Sequence, residues 1–251
     1  MTSQTGHSLK LLQALREQKE TRMKGGIYHR TQIDLTYNSN HIEGSQLTEE
    51  QTRMIFETNT IGLTDSVVKV DDITETVNHF RCVDLMIDAA NDVLDESLIK
   101  EFHLRLKSGT LDSTRSWFKT GDYKALPNEV GGMETCTPDK VASEMKNLLS
   151  SYNRRSSHDL DDILDFHVRF ERIHPFQDGN GRVGRLVMFK ECLKNDIVPF
   201  IITDKLKYFY YRGLRNWPTI KGYLTDTCLT GQDEYKLVLD YFNISYNSTE
   251  H

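Results

Sequence analysis

Apolar residues along this chain recur mostly at three- and four-residue intervals, with few proline or glycine breaks. That period predicts helices. Leu9, Leu11, Leu12 and Leu15 outline a short amphipathic helix ending before Gly25-Gly26. Ile33, Leu35, Tyr37 and Ile42 mark a second over Tyr28 to Ile42, with Gly44 stopping it at a C-cap position. Thr48-Glu49-Glu50-Gln51 is a capping-box pattern, so a third helix opens there. Further helices are expected over about Ile73–Ala90 and Glu96–Leu106, then Pro138–Tyr152, Leu160–Ile173, Arg182–Lys194, Leu206–Leu214 and Tyr235–Phe242. In Leu160–Ile173, the residues Ile163, Phe166, Phe170 and Ile173 form a stripe that faces a core. The pattern breaks at GDYKALPNEVGGMETCTP, Gly121 to Pro138, where tandem glycines, two prolines and short extended runs predict a β-hairpin or flap. The fold class is mainly α with one small hairpin.

At 251 residues the chain is long enough for one large domain, or a core domain with helical additions. The net charge of −6 argues against a general nucleic-acid or anionic-membrane binder, because an acidic surface repels both. No uninterrupted apolar run reaches spanning length and the first residues carry charges throughout, so no membrane span is expected. Cys82, Cys136, Cys192 and Cys228 are far apart with no C-x-x-C pair, which suits buried reduced thiols in a cytoplasmic protein. Asn243-Ile-Ser and Asn247-Ser-Thr match the glycosylation pattern, read here as chance in the absence of a secretory signal.

The densest chemistry lies in ERIHPFQDGNGRVGR, Glu171 to Arg185. Gly179-Asn-Gly181-Arg-Val-Gly184 matches the dinucleotide-binding G-x-G-x-x-G, with Asp204 some way beyond. That fingerprint must follow a hydrophobic strand, and here a charged helical segment precedes it. The stretch reads instead as helix, glycine-rich loop, helix. Its small residues let backbone N–H groups converge at a helix N-terminus, which makes an anion nest. Arg182 and Arg185 share one face of that helix and suit a polyphosphate. Asp178 is placed to hold Mg²⁺ bridging phosphates, and His174 to take a proton from an attacking hydroxyl.

HPFQDGNGRVGR matches the Fic-domain motif H-P-F-x-D/E-G-N-G-R-x-x-R at every defining position. Upstream, Gly121-Asp-Tyr-Lys124 (Lys for the usual Arg), Val130-Gly131-Gly132 and Pro138 resemble the family's hairpin flap. The resemblance is good over roughly Leu98 to Leu193. It implies a Fic-type helical bundle, with a helical region over 1–95, a core domain over 96–200 and C-terminal helices over 201–251. It also implies transfer of AMP from ATP to a hydroxyl of a target protein and of the chain itself. On that resemblance His174 is the general base, Phe176 anchors the loop and Asp178 binds Mg²⁺. Asn180 and the Gly179–Gly181 amides hold the α-phosphate, Arg182 and Arg185 hold the outer phosphates, and Val183 and Gly184 complete the nucleotide-contacting run. The flap, Val130 to Met133, covers the nucleotide and offers an edge strand to the target. Tyr210-Tyr211 resembles a tyrosine pair beside the adenine in relatives, simple packing being the alternative, and Asn216 is a further candidate for adenine or ribose.

Ser39-Asn-His-Ile-Glu43-Gly44 matches the Fic inhibitory pattern [S/T]-x-x-x-E-[G/N]. The resemblance implies an ion pair between Glu43 and Arg185 that denies the γ-phosphate its arginine. Other readings of the same fold are transfer of phosphocholine, UMP or phosphate, removal of AMP, or a non-catalytic nucleotide-binding module. The target is not legible, and helical faces near the N-terminus leave room for self-association.

Overall fold

The computed structural model describes residues 10–62, 67–130 and 133–246. Among these the chain forms ten α-helices, two short strands and a 3-10 turn. The helices are α1 (Lys10–Glu20), α2 (Ile27–Ile42), α3 (Glu49–Thr58), α4 (Val70–Asp88) and α5 (Glu96–Lys107), then α6 (Pro138–Tyr152), α7 (Leu160–Ile173), α8 (Asn180–Lys194), α9 (Asp204–Asn216) and α10 (Gly222–Tyr241). Strands β1 (Glu129–Val130) and β2 (Met133–Glu134) pair antiparallel, Glu129 opposite Glu134 and Val130 opposite Met133. The fold is therefore mainly α, as the periodicity predicts.

Local signals set several boundaries. The Thr48 side chain accepts from the Gln51 N–H at 3.1 Å while the Thr48 N–H donates to Gln51 Oε1 at 2.9 Å, closing the capping box of α3. Asp159 and Asp162 do the same for α7. Gly44 follows α2 with φ of +97°, a conformation that glycine adopts without strain.

Helix α8 lies at the centre, with thirteen of its fifteen residues buried. Its neighbours are α2, α4, α5 and α7. A helix buried on all sides shows no clean apolar stripe, and its charged residues survive there because each is partnered. Lys190 Nζ donates to Glu191 Oε1 at 2.7 Å, and Glu191 Oε2 accepts from Tyr152 Oη at 2.9 Å. One apolar cluster runs from Leu11 through Phe102, Phe170 and Phe176 to Leu239. A second gathers Ile42, Leu164, Met188, Phe200 and Trp217 beneath α9.

Three expectations are adjusted. Helix α8 begins two residues before Arg182, because Gly179 with φ of +83° turns the chain straight into it. Ordered pairing in the flap is confined to four residues, the remainder being irregular. Helix α10 begins at Gly222, well before Tyr235, since Leu224, Cys228 and Gly231 continue its buried face through polar-looking sequence. The apolar run 197–203 forms no strand, and Phe200, Ile201 and Ile202 pack as irregular core. No described helix is long and apolar enough to cross a membrane. Cys82, Cys192 and Cys228 are buried free thiols, whereas Cys136 is partly exposed.

Candidate active site

Helix α7 ends at His174, whose φ of +51° swings the chain out of the helix. The turn is pinned from below by Phe176, which is fully buried and stacks on His103 at 4.0 Å between ring centroids. Asn180 folds back over it: its Oδ1 accepts from the Phe176 N–H at 2.8 Å and its Nδ2 donates to the Phe176 carbonyl at 2.9 Å. The side chain expected to meet a phosphate thus shapes the loop, and the loop's main chain is left to face the ligand. Gly179 in the left-handed region followed by helical Asn180 gives the alternation of a backbone anion nest at the N-terminus of α8.

His174 lies beside that nest. Its Nδ1–H donates to the Glu171 carbonyl at 3.3 Å. A carbonyl only accepts, so the proton sits on Nδ1 and the Nε2 lone pair stays open. Burial pulls the imidazole down to about 4, outweighing its contact with Glu171. The ring is therefore neutral, and able to accept a proton, throughout the neutral range.

Asp178, at the loop entrance, keeps 48 % of its side chain exposed. Its Oδ2 accepts from Lys107 Nζ at 2.6 Å and from Arg182 at 3.2 Å. Burial works upward on this carboxyl, but the charges of Arg182 and Lys107 hold it far below the usual carboxylate range. Glu75 of α4 pairs with both Lys107 and Arg182, so the arginine expected on an outer phosphate is already engaged from two sides. Among the described residues no group of three or more His, Cys, Asp or Glu side chains could cage a metal. A Mg²⁺ ion needs no such cage where one carboxylate and nucleotide phosphates serve. Asp178, half open to solvent, fits that requirement.

Arg185 is buried and held by α2. Its Nε donates to Ser39 Oγ at 3.0 Å, and one terminal nitrogen donates to the Ser39 carbonyl at 2.9 Å and to Glu43 Oε1 at 2.7 Å. Burial alone would lower this guanidinium, but Glu43 drives its pKa well upward, so its charge is fixed. The Glu43 carboxylate also rests against the first turn of α8. A Cβ on Gly181 would lie 2.2 Å from Glu43 Oε1, so a larger residue there would displace the Glu43 carboxylate. Glu43 thus lies against the first turn of α8, near the helix end where an anion is favoured.

Other expected residues fall into place less directly. The Val183 side chain belongs to the apolar core, leaving only its backbone near the loop. Gly184 faces α7, where a Cβ would come 2.7 Å from Glu171 and His167. Tyr210 is buried, its Oη 2.5 Å from His167 Nε2, which is packing in the core; Tyr211 is partly exposed. Burial first, then the Glu43 charge, raises Tyr211 to about 12, which puts it within the field of the site. The Asn216 amide donates to the Arg212 carbonyl at 2.7 Å within its own helix, so it caps α9. Val130 is exposed on β1, Gly131 and Gly132 lie outside the described residues, and Met133 is described by its backbone.

Sequence reasoning missed Glu75, Lys107, His167 and Glu171. Burial and the nearby Glu43 push the Glu171 carboxyl up to about 8, so it is protonated at neutral pH, 4.0 Å from His174 Nδ1. All four are charged or polar residues on helices, and single spacings gave no sign that they meet.

A neutral imidazole, a carboxylate and a paired arginine around a helix-terminal nest have the charge and geometry to suit a phosphate-bearing ligand. Residues 93–192 match the Fic/DOC family. The chain is 27 % identical over 202 residues to the "Protein adenylyltransferase Fic" of Drosophila virilis, covering 75 % of this chain and 39 % of that protein. Against the protein of the same name from Aedes aegypti it is 27 % identical over 186 residues, covering 73 % and 36 %. A Fic domain containing signaling protein from Bacteroides thetaiotaomicron shares the fold with a TM-score of 0.68 at 23 % identity, over 92 % of this chain and 90 % of that one. The family match is confined to 93–192, the region that carries the His174–Arg185 loop and helix. The chain spans about two fifths or less of the length of these curated relatives.

Proposed function

We propose that this chain is a protein adenylyltransferase that uses ATP and Mg²⁺ and is held in check by its own Glu43. The observation that carries the reading is the Glu43–Arg185 pair at 2.7 Å, with Glu43 lying against Gly181 in the first turn of α8. Relatives at 27 % identity bear the adenylyltransferase name, which supports the same chemistry here.

In the transfer step, His174 Nε2 takes the proton of a target hydroxyl as that oxygen bonds to the α-phosphorus. The bond from the α-phosphorus to the bridging oxygen breaks, and pyrophosphate leaves with the electron pair. The nest amides and Arg185 neutralise charge on the phosphates, so the chain contributes mainly positioning and electrostatics. Mg²⁺ held by Asp178 would add charge neutralisation there. With Glu43 in place, a γ-phosphate meets a carboxylate where it needs Arg185, and binding in the productive pose is opposed. The exposed edge of β1 would receive the target backbone.

ATP labelled at the α- or γ-phosphate tests the reading. Glu43→Gly is expected to raise α-label incorporation into the chain at least tenfold, about 1.4 kcal/mol of barrier. Adding His174→Ala should then lower it by about 10²–10⁴-fold, the usual size of a general-base contribution, while ATP binding persists. Equal labelling of the wild type and Glu43→Gly would sink the inhibitory assignment. Incorporation of the γ-label in its place would make the enzyme a phosphoryl transferase.

A further inference from the structure

The Lys124 ammonium is buried beneath the flap, and its hydrogen-bond partners are all neutral. It donates to Asn128 Oδ1 at 2.7 Å, to Thr135 Oγ1 at 2.6 Å and to the Ile173 carbonyl at 3.4 Å. An ammonium has three donors, and all three are used. Asn128 immediately precedes β1 and Thr135 immediately follows β2, so the ammonium joins the two roots of the flap. Ile173 is the last residue of α7, where the helix dipole favours a cation. Burying a charge without a counter-ion is costly, and burial pulls Lys124 down to about 8.

Asn128 extends the same lock. Its Nδ2 donates to the Phe176 carbonyl at 3.1 Å and to the Gln177 carbonyl at 3.5 Å. The Lys124 N–H donates to the Pro175 carbonyl at 2.8 Å, and the Leu126 N–H to Gln177 Oε1 at 3.2 Å. Carbonyls on both sides of His174, at 173, 175, 176 and 177, are thus held by the flap's own residues. Thr135 closes the set, donating to the Asn128 carbonyl at 3.0 Å.

We propose that Lys124 and Asn128 are positioning residues that make the flap and the His174 turn one hydrogen-bonded body. A polypeptide aligned on the flap is then registered against the imidazole by the same contacts that fix the imidazole itself. This rests on the adenylyl-transfer reading for its catalytic consequence, though the coupling stands on geometry.

The test uses the full chain carrying Glu43→Gly, with α-labelled ATP and the chain itself as acceptor. Lys124→Met and Asn128→Leu are expected to lower kcat for self-labelling at least tenfold while KM for ATP stays within twofold. Lys124→Arg, which keeps the charge and several donors, is expected to restore at least half of the rate. Hydrogen exchange at the Ile173, His174, Phe176 and Gln177 amides should accelerate at least tenfold in both damaging variants, with α4 and α10 unchanged. Unaltered exchange at these amides overturns the proposal, and so does acceleration spread evenly over the molecule, which marks a general loss of stability. If Glu43→Gly labels nothing, the adenylyl-transfer reading fails while the exchange measurement still decides the coupling.

Discussion

At the scale of single residues, the state of His174 follows from two local facts. Its Nδ1–H is committed to the Glu171 carbonyl, and its ring is mostly buried, with 15 % of the side chain exposed. The imidazole gains a proton only near pH 4, well below its ordinary 6.5. The acid limb of kcat/KM for Glu43→Gly is therefore expected to centre at or below pH 4, since the variant loses a carboxylate that holds the imidazole up. A pH–rate profile centred at 6 or above would contradict the assignment of this limb to His174. His174, Asp178, Arg182 and Arg185 were legible in sequence as one cluster because they lie within a single short stretch, and a loop with its following helix keeps them close. Glu75 and Lys107 were not legible. Each sits on a helix where a charge ordinarily reads as a solvated face, and only the packing of α4 and α5 against α8 turns them inward.

At the scale of elements, α2 is held by hydrogen bonds to a degree unusual for a buried helix. Tyr28, Gln32, Thr36 and Asn40 recur at four-residue intervals along one face. Tyr28 Oη and Gln32 Nε2 donate to Asp84 Oδ1 at 2.7 and 2.8 Å. Thr36 Oγ1 lies 2.9 Å from His79 Nδ1, and Asn40 Nδ2 donates to Thr76 Oγ1 at 3.3 Å. Gln32 Oε1, Asn40 Oδ1 and His79 Nε2 are buried without partners along this seam. Such a network is only partly satisfied, and it holds the helix less firmly than apolar packing of the same area would. Thr36→Val leaves His79 with a second unpartnered nitrogen, at a cost of about 1–3 kcal/mol. The melting temperature should fall, and self-labelling should rise as α2 releases Glu43; an unchanged melting temperature would contradict the seam's role. The sequence concealed this seam for a physical reason. Thr31, Gln32, Thr36, Ser39 and Asn40 look like a solvent face, yet all are buried. Burial of polar residues in pairs leaves no mark in hydrophobic periodicity.

For the whole molecule, one core draws on α1 at one end of the described chain and α10 at the other, so stability is shared across it. His79, His103 and His167 are fully buried, each pulled to about 3 mainly by burial, and His174 is pulled to about 4. Each folded pKa lies below its unfolded value, so the unfolded chain binds more protons as pH falls from 6.5. Stability is lost over that window, by up to about 1.4 kcal/mol per pH unit for each proton taken up. Glu171 has the opposite sign: raised to about 8, it contributes fully below 4.5 and fades as pH climbs through 8. Four imidazoles outweigh one carboxyl, so melting temperature should drop steeply on acidification from pH 7 to 4.5. A flat profile over that range would show that the imidazoles are hydrated in the folded protein.

The Glu43–Arg185 contact also acts at a distance. Around the loop stand three carboxylates, Glu43, Glu75 and Asp178, and three cations, Lys107, Arg182 and Arg185. With α2 in place they compensate one another, and an approaching polyanion feels little long-range attraction. Withdrawal of Glu43 leaves one positive charge unbalanced at the mouth of the nest. Its field extends on the order of 10 Å at 0.1 M salt before screening removes it. On the adenylyltransferase reading, one carboxylate both blocks Arg185 and cancels the charge that would draw a nucleotide toward it.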